Sequence, residues 1–168
     1  MPIPNQELHR VSSTAIIYKQ HRGENKYLLL QRSFEKKAFG GKWTVPGGGL
    51  ETDDYINTSK TTHDHWYFAV ENSLRREIRE EANLEVGEIK YLLDITFIRP
   101  DSVPTVILSF WCPFTSGEVR LDKDSINYVW ATYSEAKGYD MVEGLLEEIE
   151  MVEKILNGGE KVTYNKKS

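Results

Sequence analysis

Residues 43–49 read Trp-Thr-Val-Pro-Gly-Gly-Gly, and no other stretch constrains the fold of this chain as tightly. Pro46 cannot donate to a strand ladder, so it closes the short strand before it. Three successive glycines then give a backbone built to bend sharply and to approach another group with no side chain between. From Leu50 to His65 the residues are rich in Thr, Asp and Asn and carry no apolar period, so they read as a long loop. From about Phe68 the pattern changes. Phe68, Leu74, Ile78, Ala82 and Leu84 recur near helical spacing while charges fill the other faces, which predicts an amphipathic helix. Asn83 should end it, because Asn follows Gly in tolerance of the left-handed cap position.

The rest of the chain alternates strand and turn signals. Residues 11–18 and 27–31 predict a hairpin about HRGEN, and residues 89–98 and 105–114 predict two strands joined through RPDSVP. A further strand is expected at 128–132 and a long helix at 141–156, followed by a frayed tail from about 157. Helices flanking a mixed β-sheet, an α/β (α+β) arrangement in one domain spanning 1–168, are the expected architecture. A chain of 168 residues can bury its own core without staples. Cys112 has no partner for an internal disulfide and lies in an apolar run, so it reads as a core thiol. The net charge of −5 is spread without a basic block, which argues against duplex nucleic acid as a partner. A small anionic substrate stays open to it, since bound metal reverses local charge. No run is long enough to span a bilayer and the first ten residues lack a signal-peptide core, so a cytoplasmic location is expected.

Chemistry concentrates in Arg76-Glu77-Ile78-Arg79-Glu80-Glu81. Positions i, i+3 and i+4 share a helix face, so Glu77, Glu80 and Glu81 should point the same way. Crowded carboxylates repel unless a cation compensates, and hard divalent ions prefer such oxygens. Arg76 can hold one carboxylate by a forked hydrogen-bond pair. Read alone, RREIREE is more often the solvated face of a helix laced with weak ion pairs. The glycine corner upstream shifts the reading toward a metal site faced by bare backbone.

Together these residues resemble the Nudix family, whose signature G-x5-E-x7-R-E-U-x-E-E-x-G-U (U aliphatic) is entered through Trp-x-x-Pro-Gly-Gly. Trp43 to Gly48 match the entry, and Arg76 to Leu84 match the second half. Asn83 stands in place of a Gly, Asp54 in place of the first-half Glu, and an insertion near 55–67 lengthens the spacing. The resemblance implies a Nudix-like α/β/α sandwich and hydrolysis of a phosphoanhydride bond in a nucleoside di- or triphosphate derivative. The alternative it leaves is a noncatalytic nucleotide-binding module. It implies magnesium, with manganese as a substitute, held by Glu77, Glu80, Glu81 and the Gly47 carbonyl, and Arg76 orienting Glu77. Asp124, six residues before Trp130, takes the place of a loop acid that family members use, with Asp122 as its nearby substitute; Asp124 is the candidate base, and a polar turn is the competing reading. Arg32 resembles an arginine used on substrate, although a surface role suits it equally. The family often dimerises, so a homodimer is an expectation too. In the insertion, Trp66 and Tyr67 are candidates to stack on a nucleobase, against core packing or a plain polar loop; His63 and His65 lack the further ligands that a transition metal needs.

Overall fold

A computed structural model describes residues 6–159. The first strand, β1 (Arg10–His21), turns through Arg22 and Gly23 into β2 (Glu24–Arg32). Both turn residues have positive φ, 53° and 83°, the two-residue turn whose twist suits a hairpin. Then come β3 (Trp43–Thr44), β4 (Gly47–Gly49), a 3₁₀ turn at Thr52–Asp54 and helix α1 (Ala69–Ala82). Strands β5 (Leu84–Val86), β6 (Lys90–Ile98), β7 (Pro104–Gly117) and β8 (Ser125–Ala131) follow, then short α2 (Tyr133–Ala136) and α3 (Leu145–Leu156).

These strands form one mixed sheet. Strand β7 is its axis: it runs parallel to β1 from Arg10↔Thr105 to Tyr18↔Pro113 and antiparallel to β5 and β6. Strand β2 pairs with β1, β3 and β8. Alternation along the strands divides the core in two. Ile16, Tyr27, Leu29 and Trp111 face α3, where they meet Leu145, Ile149 and Val152. Ala15, Ile17, Leu28, Leu30 and Cys112 face α1, where they meet Leu74, Ile78 and Ala82. The expected α/β/α sandwich with a mixed sheet is the observed fold. Cys112 is fully buried, and burial pushes its thiol up to about 12.

Several boundaries differ from expectation. Helix α1 ends with Asn83 at φ 56°, the left-handed cap foreseen for it. Its start is another matter: Phe68 precedes the helix at φ 62° and is 72 % exposed, so the buried stripe begins at Ser73 and Leu74. The glycine run is not the bend. Gly47–Gly49 is strand β4, paired with Ser12–Thr14 of β1, and none of the three has positive φ. Helix α3 starts four residues late because Met141 bridges to Trp43 and Gly144 takes φ 85°. The three-residue β5 and four-residue α2 are too short to leave a period. Of the frayed tail expected from about 157, residues 160–168 lie outside the described residues.

Candidate active site

The candidate site is made where α1 lies along β4. Burial of Leu74, Ile78 and Ala82 fixes the rotation of the helix and leaves its acidic side against the glycines. The Gly47 amide donates to Glu81 Oε2 at 2.9 Å. A Cβ on Gly48 would meet the Glu77 carboxylate at 2.3 Å, so only glycine permits that approach. A Cβ on Gly47 would meet the Ser13 carbonyl at 2.2 Å. One turn back, Ser73 Oγ donates to the Gly49 carbonyl at 3.4 Å.

Arg76 organises the next layer. Its Nε and Nη2 fork onto the Asp54 carboxylate at 2.5 and 3.2 Å, while Nη1 reaches Glu77 and Glu80 at 3.0 Å each. Asp54 is 3 % exposed, and its Oδ2 also accepts the Glu51 amide at 2.8 Å. The Arg76 hydrogen bond holds the Asp54 carboxyl down at about 2, and Asp54 in turn raises the guanidinium. The sequence pairs Arg76 with Glu77; the fold gives its fork to Asp54 and makes Glu77 a second partner.

The three helix carboxylates divide. Glu77 and Glu81 turn inward to the glycine strand, whereas Glu80 is 58 % exposed and rests on Arg76. Burial pushes Glu81 up to about 7; the Gly47 amide opposes the shift, and the charges of Glu77 and Asp122 add to it. Burial also raises Glu77, against Arg76. The charges of Asp122 and Arg32 both bear on Glu81, in opposite directions. Asp124 pairs with Lys36, whose Nζ is 2.5 Å from its carboxylate and keeps it low, and the charge of Arg32 acts on it in the same direction. Arg32 donates from Nε to the Ala38 carbonyl at 3.2 Å.

Could this set hold a divalent cation? Among the described residues no three His, Cys, Asp or Glu side chains are already gathered tightly enough to grip one. The guanidinium of Arg76, set among Asp54, Glu77 and Glu80, accounts for that spread. The donor chemistry fits nonetheless. Glu77 and Glu81 are hard oxygen donors whose charged form burial disfavours, and a nearby cation favours that form again. Glu80 offers a further hard oxygen donor one turn along the same helix, paired with Arg76 in this structure.

The insertion packs mostly on itself. Trp66 donates from its indole to the Thr58 carbonyl at 3.1 Å and meets Tyr55 at a tilt of 55°, ring centres 5.4 Å apart, with Lys60 Nζ over its ring. Tyr67 is 54 % exposed and meets Phe68 edge-on. Neither Trp66 nor Tyr67 belongs to either core cluster, so the core-packing reading of these rings is set aside. His63 pairs only with neighbouring Asp64, at 3.0 Å. Sequence reasoning missed Asp54 as the main partner of Arg76, because the insertion hides their relation, and it missed Ser73, an ordinary polar residue in the helix.

The NUDIX domain profile matches residues 8–149. The chain belongs to the Nudix family and is a Nudix-type pyrophosphohydrolase. Its relatives include the nucleoside triphosphatase NudI of Escherichia coli, 27 % identical over 134 residues that cover 71 % of this chain and 82 % of that one. Among solved structures, the NUDIX domain of Shewanella oneidensis NrtR, complexed with ADP ribose, superposes with a TM-score of 0.70 at 16 % identity, over 89 % of this chain and 90 % of that one. A MutT protein from Methanosarcina mazei superposes at 0.65 with 20 % identity, over 90 % and 98 %. An Ap4A hydrolase of Caenorhabditis elegans gives the same score at 18 % identity, over 89 % and 98 %. These last three are likenesses of fold.

Proposed function

We propose that this protein cleaves a phosphoanhydride bond in a nucleoside di- or triphosphate derivative, with magnesium or manganese held by Glu77, Glu80, Glu81 and the Gly47 carbonyl. The observation that carries this reading is the contact of Glu77 and Glu81 with the bare backbone of Gly47 and Gly48. The likeness to a nucleoside triphosphatase supports a triphosphate as the first substrate to try.

The chemical difficulty is charge, since a diphosphate repels a nucleophile and must release an anion. Glu77, Glu80, Glu81 and the Gly47 carbonyl would hold magnesium, which would supply positive charge against that repulsion. The protein's own groups do the rest. Arg76, pinned by Asp54, fixes the carboxylates of Glu77 and Glu80. Arg32, at the end of β2, is assigned to a substrate phosphate. A general base must sit near the attacked phosphorus with a matching pKa. Asp124, once released by Lys36, is assigned as that base, with Asp122, whose charge bears on Glu81, as its nearby substitute. Trp66 and Tyr67 belong to an insertion that we assign as a cover over the substrate. No described helix is long and apolar enough to cross a membrane.

The test is release of phosphate or pyrophosphate from a panel of NTPs, dNTPs, nucleotide sugars and ADP-ribose, with magnesium and with EDTA. Metal-dependent turnover of at least one substrate is expected, reduced about 100-fold or more in Glu80→Gln and Glu81→Gln. Normal turnover in both variants would show that the site is misplaced.

A further inference from the structure

The glycine strand is bare on both of its faces. Gly48, opposite Ser13, turns toward α1, where Glu77 fills the space of a side chain. Gly49, opposite Ser12, turns the other way, because successive residues of a strand alternate. A Cβ on Gly49 would strike the Arg10 guanidinium, meeting Nη2 and lying 2.8 Å from Cζ. Arg10 reaches that place from the start of β1, on the strand face that it shares with Ser12, Thr14 and Ile16. Glu77 and Arg10 thus rest on adjacent glycines, with the thickness of one bare strand between them.

The other arginines of this region have partners. Arg76 is matched by Asp54, Glu77 and Glu80, and Arg32 donates to the Ala38 carbonyl. Arg10 is exposed, and its side chain makes no hydrogen bond or ion pair among the described residues. The Glu77 carboxylate, which could neutralise it, lies on the opposite strand face with Arg76. An exposed arginine is commonplace on a surface. This one has its charged head against the strand that carries the carboxylate site. Among the described residues β4 pairs with β1 alone. A ligand crossing its open edge therefore meets the carboxylates on one side and a free guanidinium on the other.

We infer that Arg10 holds a phosphate of the substrate across the glycine strand, and that it makes the protein select nucleoside triphosphates over diphosphates joined to an uncharged group. The inference rests on the phosphoanhydride reading above and narrows its substrate class. The carboxylate side answers to the phosphates at the cleaved bond. A third phosphate carries further charge and takes a cation of its own, which a planar, forked guanidinium supplies through two parallel hydrogen bonds. A sugar in that place offers no charge to Arg10, so the contact discriminates between the two kinds of substrate.

The experiment compares the full chain with Arg10→Gln, Arg10→Lys and Gly49→Ala. It measures turnover of the NTPs, of UDP-glucose and of ADP-ribose in magnesium, and calorimetric binding of inorganic tripolyphosphate. The parent chain is expected to prefer a triphosphate. In Arg10→Gln the ratio of kcat/KM for that triphosphate to kcat/KM for ADP-ribose should fall on the order of 10-fold, through KM rather than kcat, and tripolyphosphate should weaken alike. Arg10→Lys keeps the charge and should restore part of both. Gly49→Ala pushes on the end of a flexible side chain rather than on backbone, so it should fold and reproduce the loss. Arg10 has no side-chain partner to lose, so Arg10→Gln should melt with the parent chain; if it does not fold, Gly49→Ala decides. A parent chain that prefers ADP-ribose or UDP-glucose, an unchanged ratio, a fall carried by kcat alone, or equal affinity for tripolyphosphate would each overturn the proposal. If the parent chain turns over nothing in the panel, the phosphoanhydride reading fails instead, and the tripolyphosphate titrations still decide whether Arg10 holds phosphate.

Discussion

Glu81 carries two opposing demands. Its carboxylate is wanted charged for a cation, yet burial on α1 holds it toward the neutral form, with a pKa of about 7. A folded-state pKa raised above the ordinary 4.5 means that its stabilisation is full below 4.5 and lost as pH rises through 7. Without metal at pH 8, Glu81→Gln should therefore be more stable than the parent chain by about 2 kcal/mol, allowing for partial solvent screening. At pH 4 the two should be alike. Urea titrations in EDTA at both pH values test this, and a less stable variant at pH 8 would refute it. Gly48 makes the complementary demand of space. Gly48→Ala places a methyl group on the Glu77 carboxylate, so turnover should fall on the order of 10-fold or more while unfolding shifts by only about 1 kcal/mol. Unchanged kcat with magnesium would mean that Glu77 can work from another position. Both residue types stand plainly in the sequence, but neither the inward turn of Glu81 nor its desolvation does, since these depend on what the helix packs against.

At the scale of elements, the decisive link joins the loop after β4 to α1. Asp54 closes the 3₁₀ turn through Glu51 and forks onto Arg76, which reaches Glu77 and Glu80. Its carboxyl, held at about 2, contributes stability that is full above 3.8 and disappears as pH falls through 2. The amount is about 2 kcal/mol. Unfolding followed from pH 5 to pH 2 should show this loss in the parent chain, and Asp54→Asn should lack that part of the slope; equal slopes would sever the link. The carboxylate stripe, its Arg and the Asn83 cap were legible because a helix has a fixed period. The Asp54–Arg76 pair was not, since 22 residues separate the two and only the fold of the intervening loop brings them together. For the same reason the spacing of Asp124 from Trp130 did not show its pairing with Lys36, nor that the charge of Asp122 bears on Glu81.

For the whole molecule, the sandwich and the insertion are separable. The two core clusters lie on opposite sheet faces and contain no residue from 55–67. Deleting Ile56 to Asp64 should leave a cooperatively folded protein whose melting temperature changes by only a few degrees. If the insertion covers substrate, KM and substrate preference should change in the same variant. Kinetics identical to the parent chain would leave the insertion without that role, and failure to fold would tie it to the core.

The sequence by itself determined the strands' apolar runs, the amphipathic helix with its acidic side, the bare backbone of the glycines and the buried thiol, because each follows from local period and side-chain chemistry. Tertiary structure alone decided that the glycines form a strand on β1 rather than a bend, that Arg76 answers first to Asp54, that Lys19 faces Lys26 beneath Trp130, and that burial sets Glu81 near 7. Each of these depends on groups distant in the chain coming within a few ångströms, where desolvation and charge act, and one-dimensional spacing carries no measure of that distance.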